Sequence, residues 1–95
     1  MNQDFQNMMA ELKTEYLKEL PDKVKYIETL LAQSNQTELE NEFHKLKGTG
    51  KTYGVPEVTD ICEIAEEACT SGTENWLEAS GNAILELKNV IKLYS

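Results

Sequence analysis

Apolar residues recur at intervals of three and four along the whole chain, and no stretch alternates with the period of two that a β-strand requires. Long amphipathic segments with short connections favour an antiparallel helix bundle. Forty per cent apolar and 27% charged residues are ordinary values for a folded chain of 95 residues. We therefore expect an all-α fold, with one modest core in a single domain spanning residues 1–95.

Breaks in the apolar pattern predict an antiparallel four-helix bundle with a short additional N-terminal helix. Asp4 suits the N-cap of that first helix. Pro21 predicts a new helix or a kink, because proline is disfavoured in a helix interior. The apolar stripe of the first helix is Phe5, Met8, Leu12 and Tyr16, and it is carried onward by Leu20, Val24, Ile27 and Leu31.

The next helix runs from about Glu38 to Tyr53, with Thr37 and Glu40 in the spacing of a capping box. Gly54 suits a helix stop and Pro56 the start of another helix. Its buried seam is predicted to be Leu39, Phe43, Leu46, Gly50 and Tyr53.

The two last helices are separated by Ser71-Gly72-Thr73, where Thr73 is a candidate N-cap. The earlier of them has a narrow stripe with small residues, which allows close packing: Val58, Ile61, Cys62, Ala65, Ala68 and Cys69. The stripe of the last helix is wider: Trp76, Leu77, Ala83, Ile84, Leu87, Val90, Ile91 and Tyr94.

Charge and composition exclude several classes of function. Seventeen acidic against nine basic residues, a net charge of −8, disfavour nucleic-acid binding. No apolar run approaches the ~20 residues of a membrane span, and the N-terminus lacks the order of a signal peptide, so we expect a cytoplasmic protein. Cys62 and Cys69 lie roughly 10 Å apart along a helix, too far for a disulfide, and a single histidine disfavours a metal site.

The only histidine lies in a cationic segment of this acidic chain. Residues 43–56 carry three lysines and no acid, +3 against the total of −8, which leaves −11 for the remainder. On a helix, His44 projects about 140° from Leu39 and so faces away from the core. Lys47 and Lys51 project to the same side. Gly48 leaves a gap there at a cost of ~1 kcal/mol relative to alanine, which indicates space for a partner.

These residue types predict phosphoryl chemistry at His44. Neutral imidazole is a nitrogen nucleophile near pH 7, and lysines at 47 and 51 can screen phosphoryl charge. Glu40, one turn before His44, opposes the effect of the lysines, because its negative charge favours the protonated ring. It could also orient the ring through a ring N–H. The chain has no Walker loop and no set of carboxylates for Mg²⁺, so we expect a carrier without an ATP site or cofactor of its own.

The run His44-Lys45-Leu46-Lys47-Gly48-Thr49-Gly50, followed by Tyr53-Gly54 and Cys62, resembles the His-x-Leu-Lys-Gly motif of histidine-containing phosphotransfer (HPt) domains. The order of the helices extends the resemblance over nearly the whole chain. The resemblance implies that His44 is reversibly phosphorylated, that Lys47 is the nearby lysine, and that Gly48 admits the partner. Ala65 departs from the family, in which a larger apolar residue is common.

The resemblance also implies partners: receiver domains of response regulators, which bring Mg²⁺, and a hybrid histidine kinase. We expect a monomer whose docking residues include Lys45, Gly48 and Glu40, with the acidic pocket of the receiver domain placed over His44, Gly48 and Lys51. The start at Met1 and the full set of helices favour a free-standing protein. One alternative is the same bundle acting as a docking module without phosphorylation. A small enzyme acting alone is a weaker one, because no base, oxyanion site or metal set flanks His44.

Overall fold

Across residues 2–95, four α-helices follow one another in the order α1 (Asn2–Ala32), α2 (Gln36–Thr52), α3 (Pro56–Ser71) and α4 (Trp76–Tyr94). The computed structural model describes residues 2–95, with side chains from residue 3 onward, so Met1 lies outside it. Each helix packs against the next in the chain, and α1 also packs against α4. This arrangement closes an up-down-up-down bundle, in which the contact between α2 and α3 is the most extensive. The all-α bundle is confirmed.

The prediction of a separate N-terminal helix is wrong, because α1 continues through Pro21 as one helix of 31 residues. Pro21 is exposed, so its missing N–H and its ring lie at the solvent side of the helix. Leu20 and Val24, on either side of it, are buried in the core. Packing of these neighbours on one continuous face outweighs the local penalty of proline.

The first three turns of α1 extend beyond the bundle. Phe5, Met8 and Leu12 are 60%, 50% and 38% exposed, whereas Tyr16 is buried. The ammonium of Lys13, the residue after Leu12, lies 4.7 Å from the ring centroid of Tyr94, the last residue of α4. The prediction that this stripe faces the core is therefore wrong for its first three residues, because the neighbouring helices end before them.

Helix α2 begins earlier than its sequence suggests. Asn35 is the N-cap, and its side chain accepts a hydrogen bond of 3.2 Å from the backbone N–H of Glu38. The predicted cap, Thr37, lies inside the helix. The predicted stop is confirmed, because Gly54 has φ +84° in the turn after α2. Pro56 is the first residue of α3, as expected.

Helix α4 begins later than predicted. Thr73 does not cap it, because Thr73 donates its hydroxyl to the side chain of Asn75 at 2.7 Å within the turn that precedes the helix. Asn75 is the N-cap, and the helix starts at Trp76. Leu77 is 44% exposed and lies outside the core. Gly72 ends α3 in the left-handed conformation, with φ +61°.

The core collects the inward faces of all four helices, and the seam of α2 lies at its centre. Its largest fully buried side chains are Phe43, Leu20, Ile27, Leu39 and Leu87. Cys62 and Cys69 are free thiols and are buried, as the sequence predicts. Among residues 2–95, none of the helices combines the length and apolar character that crossing a bilayer requires.

Candidate functional site

Helix α2 places His44 on the surface of the bundle. The predicted seam of this helix is buried at Leu39, Phe43, Leu46 and Gly50, and the last seam residue, Tyr53, is half-buried. His44 lies on the opposite side, and its side chain is 68% exposed. The helix therefore presents an imidazole to solvent from a backbone that is fixed by core packing.

A carboxylate of the neighbouring helix holds one nitrogen of this imidazole. His44 Nδ1 lies 2.6 Å from Glu66 Oε2, and Lys47 Nζ lies 2.9 Å from the other carboxylate oxygen. The Glu66 side chain is only 15% exposed. Its hydrogen bond with Lys47, and secondarily that with His44, lowers the pKa of Glu66 in spite of the opposing effect of burial. Glu66 is therefore ionised at neutral pH and bridges the histidine and the lysine.

The contact with Glu66 defines the protonation of the neutral ring. An ionised carboxylate can only accept hydrogen bonds, so the proton of neutral His44 lies on Nδ1, which donates to Glu66. The lone pair is then on Nε2, the nitrogen that makes no contact with Glu66. The arrangement gives a nucleophilic nitrogen on an exposed ring, with a negative charge behind it.

The three lysines of the segment have different environments. Lys47 is half-buried against α3, and its hydrogen bond with Glu66 raises its pKa. Lys45 is exposed and pairs with Glu42 at 3.1 Å along the same helix. Lys51 is exposed on the His44 side of α2. Of the two lysines expected to meet a phosphoryl group, one is thus engaged by Glu66 while the other faces solvent.

Glycine at position 48 leaves an open surface beside the imidazole. Gly48 is exposed, and a Cβ placed there would have no atom within 4 Å apart from the helix's own neighbouring backbone. Packing inside this chain therefore does not require glycine at that position. The open space is the feature that the sequence suggested for approach of a partner.

The partner of the ring is Glu66 rather than Glu40, the residue to which the sequence pointed. Glu40 is half-buried. Burial is the main cause that raises the pKa of the Cys69 thiol, and the negative charge of Glu40 raises it further. Sequence reasoning missed Glu66, although the tight turn between α2 and α3 contains the signal. Gly50 lies against Thr59. Because α2 and α3 run antiparallel, residues at similar distances from this contact face each other. His44 lies six residues before Gly50, and Glu66 lies seven residues after Thr59.

Comparisons with known proteins identify the family of this chain and a solved structure with a similar fold. The sequence model of the Hpt domain family matches residues 11–93. The fold is similar to the crystal structure of the HPT domain from the Hpt Sensor Hybrid Histidine Kinase from Shewanella. The TM-score is 0.77 and the identity 29%, with 93% of this chain and 77% of that chain covered. No curated protein sequence matches.

The fold and the family model together define the class of protein, a helical phosphotransfer domain. Because the family match spans most of its length, the chain belongs to the Hpt domain family. Its function is histidine phosphotransfer in a two-component phosphorelay, in which Hpt domains interact with receiver domains and histidine kinases. The alternative of a docking module without phosphorylation is not favoured.

Proposed function

We propose that His44 is the residue that accepts and donates the phosphoryl group, and that it does so through Nε2. The observation that carries this proposal is the environment of the ring. Its Nδ1 is held by Glu66 at 2.6 Å, while the side chain as a whole is 68% exposed. His44 is also the only histidine of the chain.

The transfer step follows from this protonation state. The Nε2 lone pair of His44 attacks the phosphorus of an aspartyl phosphate, and the N–P bond forms as the bond from phosphorus to the aspartate oxygen breaks. The aspartate leaves as a carboxylate. The proton stays on Nδ1, so the ring becomes positively charged, and the Glu66 carboxylate stabilises that charge across the 2.6 Å contact. Transfer to a second aspartate reverses these changes.

The lysines assist in different ways in this proposal. Lys51 offers a free positive charge to the phosphoryl oxygens. Lys47 holds Glu66 in place through its 2.9 Å contact and adds its own charge nearby. Both therefore act on the transferring group or its support, and the imidazole alone forms the covalent bond.

The docking surface in this proposal surrounds Gly48 on the outer side of α2. A receiver domain presents its aspartate among other acidic groups, and the local charge of +3 complements that pocket. Gly48 allows close approach, and Lys45 lies at the edge of the surface. Glu40 belongs to its α3 side. The charge of −11 on the remaining residues disfavours docking elsewhere.

Several finer features belong to the same proposal. The chain acts as a monomer in the cytoplasm, binds no nucleic acid, and carries the phosphoryl group without extracting it from ATP. The acidic composition supports the absence of nucleic-acid binding. The lack of a phosphate-binding loop in the sequence supports a carrier that receives its phosphoryl group from a partner.

The experiment is transfer of ³²P from phosphorylated receiver domains to the purified chain. Wild type should take up one acid-labile, alkali-stable label per chain, and His44→Gln should take up none. Asn89→Gln, an exposed polar change on α4, serves as the control. Equal melting temperatures of the three proteins establish that folding is unchanged. Label on folded His44→Gln would show that the assignment is wrong.

A further inference from the structure

A threonine of α3, Thr59, inserts its hydroxyl between two backbone groups of α2, one turn after His44. The Thr59 hydroxyl accepts a hydrogen bond of 2.7 Å from the backbone N–H of Lys51 and donates one of 2.8 Å to the carbonyl of Lys47. These two backbone groups are the pair that an α-helix normally joins directly, from residue i to residue i−4. The hydroxyl of another helix therefore bridges one turn of α2.

The bridge requires an unusually close approach of the two helices. A Cβ at Gly50 would lie 2.8 Å from the backbone nitrogen of Thr59, 2.9 Å from its hydroxyl oxygen and 2.9 Å from Val58 Cβ. Any other residue at position 50 would force α3 away from α2. Gly50 and Thr59 thus form one contact, in which the absence of a side chain on α2 admits a side chain from α3.

The turn that receives the hydroxyl is intrinsically weak. It contains both Gly48 and Gly50, and each glycine in a helix interior costs roughly 1 kcal/mol relative to alanine. This turn directly follows His44 and includes the backbone of Lys47. A bridge from α3 restrains the part of α2 in which the sequence provides the least intrinsic rigidity.

Thr59 and Glu66 lie on the same side of α3, because a separation of seven residues returns to within about 20° of the same direction. Helix α3 therefore holds Lys47 twice, by its carbonyl through Thr59 and by its ammonium through Glu66. The first contact sets the register in which the second carboxylate oxygen of Glu66 meets His44.

We propose that Thr59 is a positioning residue for phosphotransfer: its hydroxyl keeps α2 and α3 in the register that places Glu66 behind His44. This inference rests on the proposed function, because it assigns Thr59 a role in supporting the same imidazole. Thr59 touches no reacting atom, so its effect is transmitted through the backbone of residues 47–51 and the contact between Glu66 and His44.

The test compares three variants at position 59. Thr59→Val keeps the volume and removes the hydroxyl, Thr59→Ser keeps the hydroxyl, and Thr59→Ala serves if valine prevents folding. Two quantities are measured at a temperature at which each protein is folded. One is the initial rate of phosphotransfer from a receiver domain. The other is the imidazole ¹⁵N spectrum of His44, which reports the nitrogen that carries the proton.

We expect Thr59→Ser to transfer within about twofold of wild type and Thr59→Val to be slower by about tenfold, since small misplacements of reacting groups lower rates steeply. In Thr59→Val the neutral ring should also lose its preference for the proton on Nδ1. If folded Thr59→Val, or Thr59→Ala in its place, keeps the wild-type rate and spectrum, Thr59 is only structural and the inference is overturned. The spectrum needs no phosphate, so it tests Thr59 even if wild type accepts no label.

Discussion

Two glycines of α2, two residues apart, have opposite surroundings. Gly48 faces open space, and Gly50 lies against the backbone of α3 at distances that exclude any side chain. The sequence shows the same residue type twice, at the same intrinsic cost to the helix. The difference teaches that packing within the chain requires glycine on the inner face of α2 but does not require it on the outer face.

The largest effect should come from Gly50→Ala. The new Cβ would lie 2.8 Å from a backbone nitrogen, which cannot rotate away, so overpacking should exceed the gain in helix propensity. We expect the free energy of unfolding to fall by about 2 kcal/mol. Chemical denaturation measures it, with Gly81→Ala as the matched control, because a Cβ at Gly81 would make an ordinary contact of 3.9 Å with Leu31. If Gly50→Ala proves as stable as Gly81→Ala, packing does not require glycine at position 50, and the contrast between Gly48 and Gly50 is wrong.

A smaller and opposite effect on stability is expected at Gly48. Gly48→Ala should raise the free energy of unfolding by ~1 kcal/mol, since the helix gains propensity and the methyl group meets open space. Gly48→Gln should remain folded and transfer phosphate much more slowly, because its side chain occupies the docking surface. Denaturation and transfer kinetics on the same preparations separate the two effects. Normal transfer by folded Gly48→Gln would contradict the role of the outer face in docking.

The smallest effect on stability is expected at Lys51. Lys51→Ala removes an exposed side chain and should change the free energy of unfolding by less than ~0.5 kcal/mol while slowing transfer. Lys47→Ala is the matched comparison, because it removes a charge at the same site but also releases Glu66. The spectrum of His44 should therefore change in Lys47→Ala and not in Lys51→Ala. A fall in melting temperature that accounts for the lost transfer would show that these lysines are structural.

The parts of the fold predicted correctly are those encoded by local periodicity. The seam of α2 and the outward direction of His44 follow from three- and four-residue spacing, which one helix determines by itself. The stop at Gly54 follows from local backbone preference in the same way. Such features need no knowledge of the neighbouring helices.

The errors arose where another helix decides the outcome. Pro21 has a local penalty, yet burial of Leu20 and Val24 keeps α1 continuous. Phe5 has the right spacing for a core residue, but its neighbours end before reaching it. Glu66 is distant from His44 in sequence and meets it only through the register of α2 and α3. Periodicity within a helix contains no information about that register.

Cys62, one of the two buried thiols of α3, can report when the bundle opens. Burial, with a smaller contribution from Glu66, raises the pKa of Cys62 to about 12, so the thiolate that alkylating reagents attack is essentially absent in the closed bundle. Modification of Cys62 then requires the helices to separate. The rate of this modification at a given pH therefore reports how often the bundle opens. Comparing the phosphorylated and unphosphorylated chains would show whether the phosphoryl group makes opening of the bundle more or less frequent.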